Sequence, residues 1–167
     1  AETVLLNLIR GTALRGLGGI APVRGRYIRP LIHCTRGEIE AYCAQHDLFY
    51  VTDSTNHSDA HTRNRIRRHL LPLLEQENPR LVESFARMSH ILRDDADYLD
   101  EQAQTVLEIL LSPNGVIDRS SFLELPRAIK GRVLMLLLRQ GGVEADSLTV
   151  QSLCQMIGEG TGTRQLT

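Results

Sequence analysis

Apolar positions recur along most of this chain at helical spacing. Val4, Leu5, Leu8 and Ile9 mark the buried face of an opening helix, with Gly11 where a C-cap glycine belongs. Thr35 and Glu38 have the spacing of a capping box. They predict a helix to about His46 with Ile39, Tyr42 and Cys43 inward. Ile66, Leu70, Leu73 and Leu74 fall at i, i+4, i+7 and i+8, one stripe of a helix running from about Ala60, with Ser58 or Asp59 as its cap. Asn78 and Pro79 read as N-cap and N1. From there Leu81, Phe85, Met88, Leu92, Ala96, Leu99, Ala103, Val106 and Leu110 define one amphipathic helix of about 33 residues, roughly 50 Å long. Its acidic run, Asp94, Asp95, Asp97, Asp100 and Glu101, reads as a solvated face.

Ser112, Pro113, Asn114 and Gly115 stop that helix. A second small unit follows, with a turn of helix from Ser120 and a helix opened by Pro126 that carries Ile129, Val133, Leu134, Leu137 and Leu138. Gly141 and Gly142 break it, and a last helix covers 148–157. Helix, glycine turn and helix is the outline of a DNA-reading motif. The last helix, LTVQSLCQMI, has no Arg or Lys to anchor phosphate, so a packing unit is the better reading. Tyr27-Ile28-Arg29-Pro30-Leu31 reads as a short extended segment, at a sheet edge because of Pro30. Leu48-Phe49-Tyr50-Val51 reads as a second short strand entering the polar loop Asp53-Ser54-Thr55-Asn56.

The length of 167 residues allows one ordinary domain or two small ones. Aromatic residues are scarce and tryptophan is absent, which favours aliphatic helix packing over an aromatic platform. The net charge of −1 hides an asymmetry: residues 1–68 carry ten Lys/Arg against six Asp/Glu, residues 69–167 nine against fourteen. Cys34, Cys43 and Cys154 form no CxxC pair and no disulfide framework, which suits a reducing cytoplasm. His33, Cys34, Cys43 and His46 match no structural zinc spacing, and no metal site is expected. No stretch reaches the ~18 apolar residues of a membrane span. AETVLLNLIRG has neither a basic leader nor a cleavage site and starts inside a helical pattern, so the chain reads as an internal piece of a longer protein.

Two features carry candidate chemistry. The loop GTALRGLGGIAPVRG holds Arg15 and Arg24 among glycines, but GxxxxGK[ST] is absent and a plain connection is the stronger reading. Arg63, Arg65, Arg67 and Arg68 crowd the first turns of a helix, whose partial positive charge disfavours them by roughly 0.3–1 kcal/mol each. An acidic partner is therefore expected nearby. It is either the chain's own carboxylates or a bound phosphate or carboxylate, which the arginine fork suits.

Several motifs stand in a recognisable order: Glu2, Arg10-Gly11-Thr12, Leu14-Arg15-Gly16-Leu17, Arg29-Pro30-Leu31, Asp53-Ser54 with Asn56, and Arg63-Asn64-Arg65-Ile66-Arg67. In this order the chain resembles the bacterial tRNA(Ile)-lysidine synthetases, ATP-pyrophosphatases of the PP-loop class. The resemblance is specific over residues 1–80, thinner along the long helix and weak over 116–167. It implies a predominantly α-helical fragment of an α/β protein: residues 1–76 as the C-terminal part of a PP-loop (adenine nucleotide alpha hydrolase-like) domain, 77–111 as a long connecting helix, and 112–167 as the start of a small helical substrate-binding (tRNA) domain.

The resemblance also implies a reaction. With ATP and Mg2+, such enzymes adenylate the C2 oxygen of the wobble cytidine in an isoleucine tRNA with a CAU anticodon. The ε-amine of free lysine then attacks C2 and AMP leaves. Carried over, Glu2 faces the lysine and catalytic pocket, Arg63, Asn64 and Arg67 bind substrate, and Arg10, Arg15, Arg24, Arg65 and Arg68 bind tRNA. Ala13 stands where the family has glycine, and Thr62 where it often has an aromatic. The phosphate-cradling SGGxDS loop and paired aspartates do not occur in these residues, so the piece alone is expected to be inactive and to hold no cofactor. A cytoplasmic location follows, and a homodimer stays open. The alternatives are another PP-loop tRNA enzyme such as a thiolase, which usually needs CxxC pairs, and a non-catalytic helical RNA- or protein-binding module.

Overall fold

The structure, a computed structural model, describes residues 1–51 and 58–160. The loop around Asp53 and Asn56 lies outside them. The chain is predominantly helical and divides into two compact units, residues 1–93 and 94–167. The division falls inside the longest helix rather than at either of its ends.

The first unit opens with α1 (Glu2–Ile9), which buries Val4 and Leu5. Arg10 caps it, and Gly11 follows with φ +68°. The Gly11 amide donates to Leu8 O and the Thr12 amide to Asn7 O, a Schellman closure that needs a left-handed residue at Gly11. Leu8 and Ile9 are exposed, so only half of the expected face is covered within these residues. The glycine-rich loop contains a turn of helix that the hydrophobic pattern does not announce, α2 (Leu14–Leu17). A hairpin follows, β1 (Val23–Arg24) paired antiparallel with β2 (Tyr27–Ile28).

α3 (Arg36–Gln45) has the complete capping box: Thr35 Oγ accepts from the Glu38 amide and the Glu38 carboxylate accepts from the Thr35 amide. None of its residues is fully buried, and Tyr42 is exposed. The segment Leu48-Phe49-Tyr50-Val51 is not a strand. It has no ladder partner among the described residues, and Phe49 is 94% exposed.

The arginine-rich helix is less regular than its apolar spacing implies. It runs as α4 (Thr62–Arg65), a π-helical turn over Ile66–Leu70, and α5 (Leu71–Glu77). Pro72 accounts for the wide turn. It has no amide to donate to Arg68 O, and its ring would press on that carbonyl in a regular helix. The extra residue in the turn shifts the inward face. Ile66 is buried, Leu70, Leu71 and Leu74 are half-buried, and Leu73 is turned out to solvent. The cap also differs from expectation. His61 stands at the N-cap without a side-chain bond, while the Ser58 hydroxyl accepts from the Ala60 amide and the Asp59 carboxylate is used elsewhere.

α6 (Leu81–Leu110) begins just after Asn78, whose side-chain oxygen accepts from the Arg80 amide. Its first turns hold the glycine-rich loop. Ser89 Oγ donates to Leu17 O at 3.4 Å and Arg93 Nη1 to Gly18 O at 2.6 Å. The approach is close enough that a Cβ on Gly18 would lie 2.8 Å from Arg93 Cγ. Gly18→Ala therefore forces Arg93 off the loop and lowers the stability of the first unit by about 1–3 kcal/mol, the usual cost of overpacking. Urea unfolding of the full chain, followed at the first unit, checks this.

The second unit packs residues 94–110 of α6 with α7 (Arg119–Glu124), α8 (Arg127–Gln140) and α9 (Ser147–Glu159). Asp118 and Asp146 cap α7 and α9 by accepting from the Ser121 and Thr149 amides. The core is Ala103, Leu107, Phe122, Ile129, Val133, Leu134 and Val150. Asp100 is not merely solvated: it accepts from Arg132 Nε at 2.9 Å. No helix among the described residues is long and apolar enough to cross a membrane.

Candidate functional site

The structure supplies the acidic partner that the crowded arginines require. It is Glu2, at the start of α1 and more than sixty residues away in sequence. Packing of α1, which buries Val4 and Leu5, against α4 and the π turn, which buries Ile66, brings the two segments together. Glu2 Oε2 accepts from Arg63 Nε at 3.2 Å and from Arg67 Nη2 at 3.0 Å, and Glu2 Oε1 accepts from Arg67 Nε. Arg67 thus grips the carboxylate with both prongs of its fork, the geometry in which guanidinium discriminates carboxylates best. Arg63 has a second hold, donating from Nη2 to the Thr3 hydroxyl at 2.6 Å.

These groups are partly sheltered: the side chain of Glu2 is 23% exposed, those of Arg63 and Arg67 48% and 41%. Burial opposes ionisation of Glu2, but the hydrogen bonds and charge of Arg67 and Arg63 outweigh it and hold the carboxyl below its ordinary range. The same contact raises Arg67 further. Two cations against one anion leave the cluster with an excess positive charge and the capacity to take a second carboxylate.

Asn64 sits between the two arginines but points inward. It is 8% exposed, and its amide donates to Ser58 O at 2.7 Å, tying the start of α4 to the segment before it. Arg65 and Arg68 lean on their own neighbourhood. Arg65 donates to Asp59 O, Ala60 O and Thr62 Oγ1, and Arg68 to the Asp59 carboxylate at 2.9 Å. His69 Nε2 meets the other oxygen of Asp59, also at 2.9 Å. Thr3 and Asp59 are absent from the sequence-based set. Asp59 leaves a trace in the sequence, as the nearest carboxylate before the arginine run. Thr3 leaves none, because only the packing of α1 reveals it.

Arg10, Arg15 and Arg24 are exposed on the glycine-rich loop and hairpin and are not drawn into the Glu2 cluster. The loop is not a phosphate cradle. The amides of Gly16, Gly18 and Gly19 donate to Ala13 O, Leu14 O and Gly16 O. Nor do three or more His, Cys, Asp or Glu side chains converge as a metal site among the described residues.

In chain order the glycine-rich loop lies between α1, which carries Glu2, and the arginine-rich helix. Residues 1–74 match the PP-loop domain family. The chain is 43% identical to the tRNA(Ile)-lysidine synthase of Geobacillus kaustophilus over 151 residues, which is 85% of this chain and 32% of that protein. It is 47% identical to that of Caldanaerobacter subterraneus over 116 residues (69% and 25%), and 37% identical to that of Bacillus subtilis over 145 residues (82% and 31%). The chain belongs to the tRNA(Ile)-lysidine synthase family and spans between a quarter and a third of the length of these curated relatives.

Proposed function

We propose that the protein is a tRNA-modifying carbon–nitrogen ligase that attaches free lysine to C2 of the wobble cytidine of isoleucine tRNA at the expense of ATP. In this reading, Glu2, Arg63 and Arg67 form the amino-acid wall of its active site. The observation that carries the reading is the two-arginine grip on Glu2. A free amino acid brings a carboxylate that needs a bidentate cation and an amine that needs an acid. The cluster holds both complements side by side. An entering lysine exchanges with the internal pair: its carboxylate takes the fork of Arg67, and the released Glu2 carboxylate accepts from an amine. Asn64 positions the helix from beneath rather than touching the substrate.

The relatives are named as synthases of this tRNA modification, and their PP-loop domain supports ATP as the activating cosubstrate. The phosphate and Mg2+ ligands are assigned to no residue of this chain. α6 serves as the connector, and the helical unit after it as the start of the tRNA-binding domain. The test is mass spectrometry of an isoleucine tRNA with a CAU anticodon after incubation with the complete protein, ATP and lysine. The expected product gains one lysyl group on the wobble cytidine, and only when both ATP and lysine are present. Modification without lysine, or sulfur incorporated in its place, would overturn the reading in favour of another PP-loop chemistry.

A further inference from the structure

Between Glu2 and Glu38 the sequence contains no acidic residue, yet it carries Arg10, Arg15, Arg24, Arg26, Arg29 and Arg36. The structure separates those already engaged from those that are not. Arg29 donates to Ala21 O, and Arg36 pairs with Glu40 one helical turn away. Arg24 ends β1 and Arg26 is the second residue of the turn that joins it to β2, and among the described residues neither has a carboxylate partner. Gly25, with φ +56°, opens the two-residue turn and lets it project into open space. The Arg26 guanidinium lies 5.8 Å from the centre of the Tyr27 ring, which holds the cation over an aromatic face rather than over an acid. The ring itself is 62% exposed, and Val23 and Ile28 beside it are exposed too.

Arg65 and Arg68 are held by Asp59 and its neighbours, and Arg63 and Arg67 by Glu2, whereas the two cations at the hairpin tip face no carboxylate among the described residues. We propose that the hairpin tip is an RNA contact in which Arg24 and Arg26 take backbone phosphates and the Tyr27 ring stacks on an unpaired base. Cations beside an open aromatic face are the combination that single-stranded RNA recognition uses. The choice of RNA over another polyanion rests on the function proposed above. The hairpin residues are separate from the Glu2 cluster, so the two assignments can fail independently.

The test is a salt series of tRNA binding to the full chain, read by fluorescence anisotropy with an isoleucine tRNA transcript. Removing two phosphate contacts in the Arg24→Ala/Arg26→Ala variant should weaken binding and flatten the slope of log K against log salt by about 1.4–1.8. Tyr27→Ala should weaken binding about fivefold or more with the slope retained, because a stacked base carries no released counterion. Arg36→Ala, whose cation is already paired, should keep the wild-type slope. Wild-type affinity and slope in the double variant would overturn the hairpin assignment and leave the lysine site standing, as would competition by polyglutamate as effective as competition by tRNA. Failure of the unmodified chain to bind tRNA at any salt would likewise overturn the hairpin assignment, while the lysine site is decided by its own kinetic test.

Discussion

Replacing Arg67 by alanine in the complete protein should lower kcat/KM for lysine about 10–100-fold, the effect of losing about 1.5–3 kcal/mol of charged hydrogen bonding. Arg67 reaches Glu2 through Nε and Nη2, whereas Arg63 reaches it through Nε alone and spends Nη2 on Thr3. Only Arg67 can therefore offer a two-pronged grip to an incoming carboxylate without abandoning a second partner. Arg67→Lys keeps the charge but not the fork, and should recover only part of the loss. Folding should change little, because the pair is partly exposed and such pairs contribute about 0–1 kcal/mol. Arg63→Ala should have the smaller effect of the two. Steady-state kinetics with varied lysine at saturating ATP and tRNA decide the matter. If both alanine variants keep the wild-type lysine dependence, the arginines serve only as a structural bridge between α1 and α4.

Much of this site was legible in the sequence, and the part that was not has a physical reason. Four arginines at a helix start conflict with its dipole, so an acid was required. Spacing alone could not say which acid, because the answer lies across a contact of more than sixty residues. The resemblance singled out Glu2, and the packing of α1 on α4 and the π turn shows why it arrives there. The helix itself was misjudged in register. Ile66, Leu70, Leu73 and Leu74 obey a 3.6-residue period, but Pro72 widens the preceding turn and sends Leu73 outward. Asn64, which the resemblance makes a substrate ligand, is buried and donates to Ser58 O, a contact that spacing alone does not reveal. The supposed strand at Leu48 shows the opposite failure. Its apolar run is real, yet burial of a strand depends on neighbours, and none covers it among the described residues. In the second unit local rules sufficed, because Asp118 and Asp146 cap helices whose apolar faces meet within a short span of chain.

Leu107→Ala should be the most damaging single change in the second unit. Leu107 is 1% exposed and belongs to a core shared with Phe122, Val133 and Val150. Truncating a buried leucine costs about 2–5 kcal/mol, the upper part of that range applying where the walls cannot collapse. The void would lie between α6, a continuous helix that cannot bend inward locally, and the core side chains of α7, α8 and α9, so most of it persists. A small domain has roughly 0.05–0.15 kcal/mol of stability per residue, so a unit of this size loses a large share of its total. The damage should be confined. The core of the first unit, built on Val4, Leu5 and Ile66, shares no residue with the Leu107 cluster. Hydrogen exchange of the full chain should therefore show lost protection in α7, α8 and α9 with the amides of α1 and α5 unchanged. In the complete protein, tRNA affinity should fall while the lysine dependence of the remaining activity is kept. Unchanged protection in α8 and α9 would show that Leu107 does not support that core, and equal loss in α1 would show that the two units unfold as one.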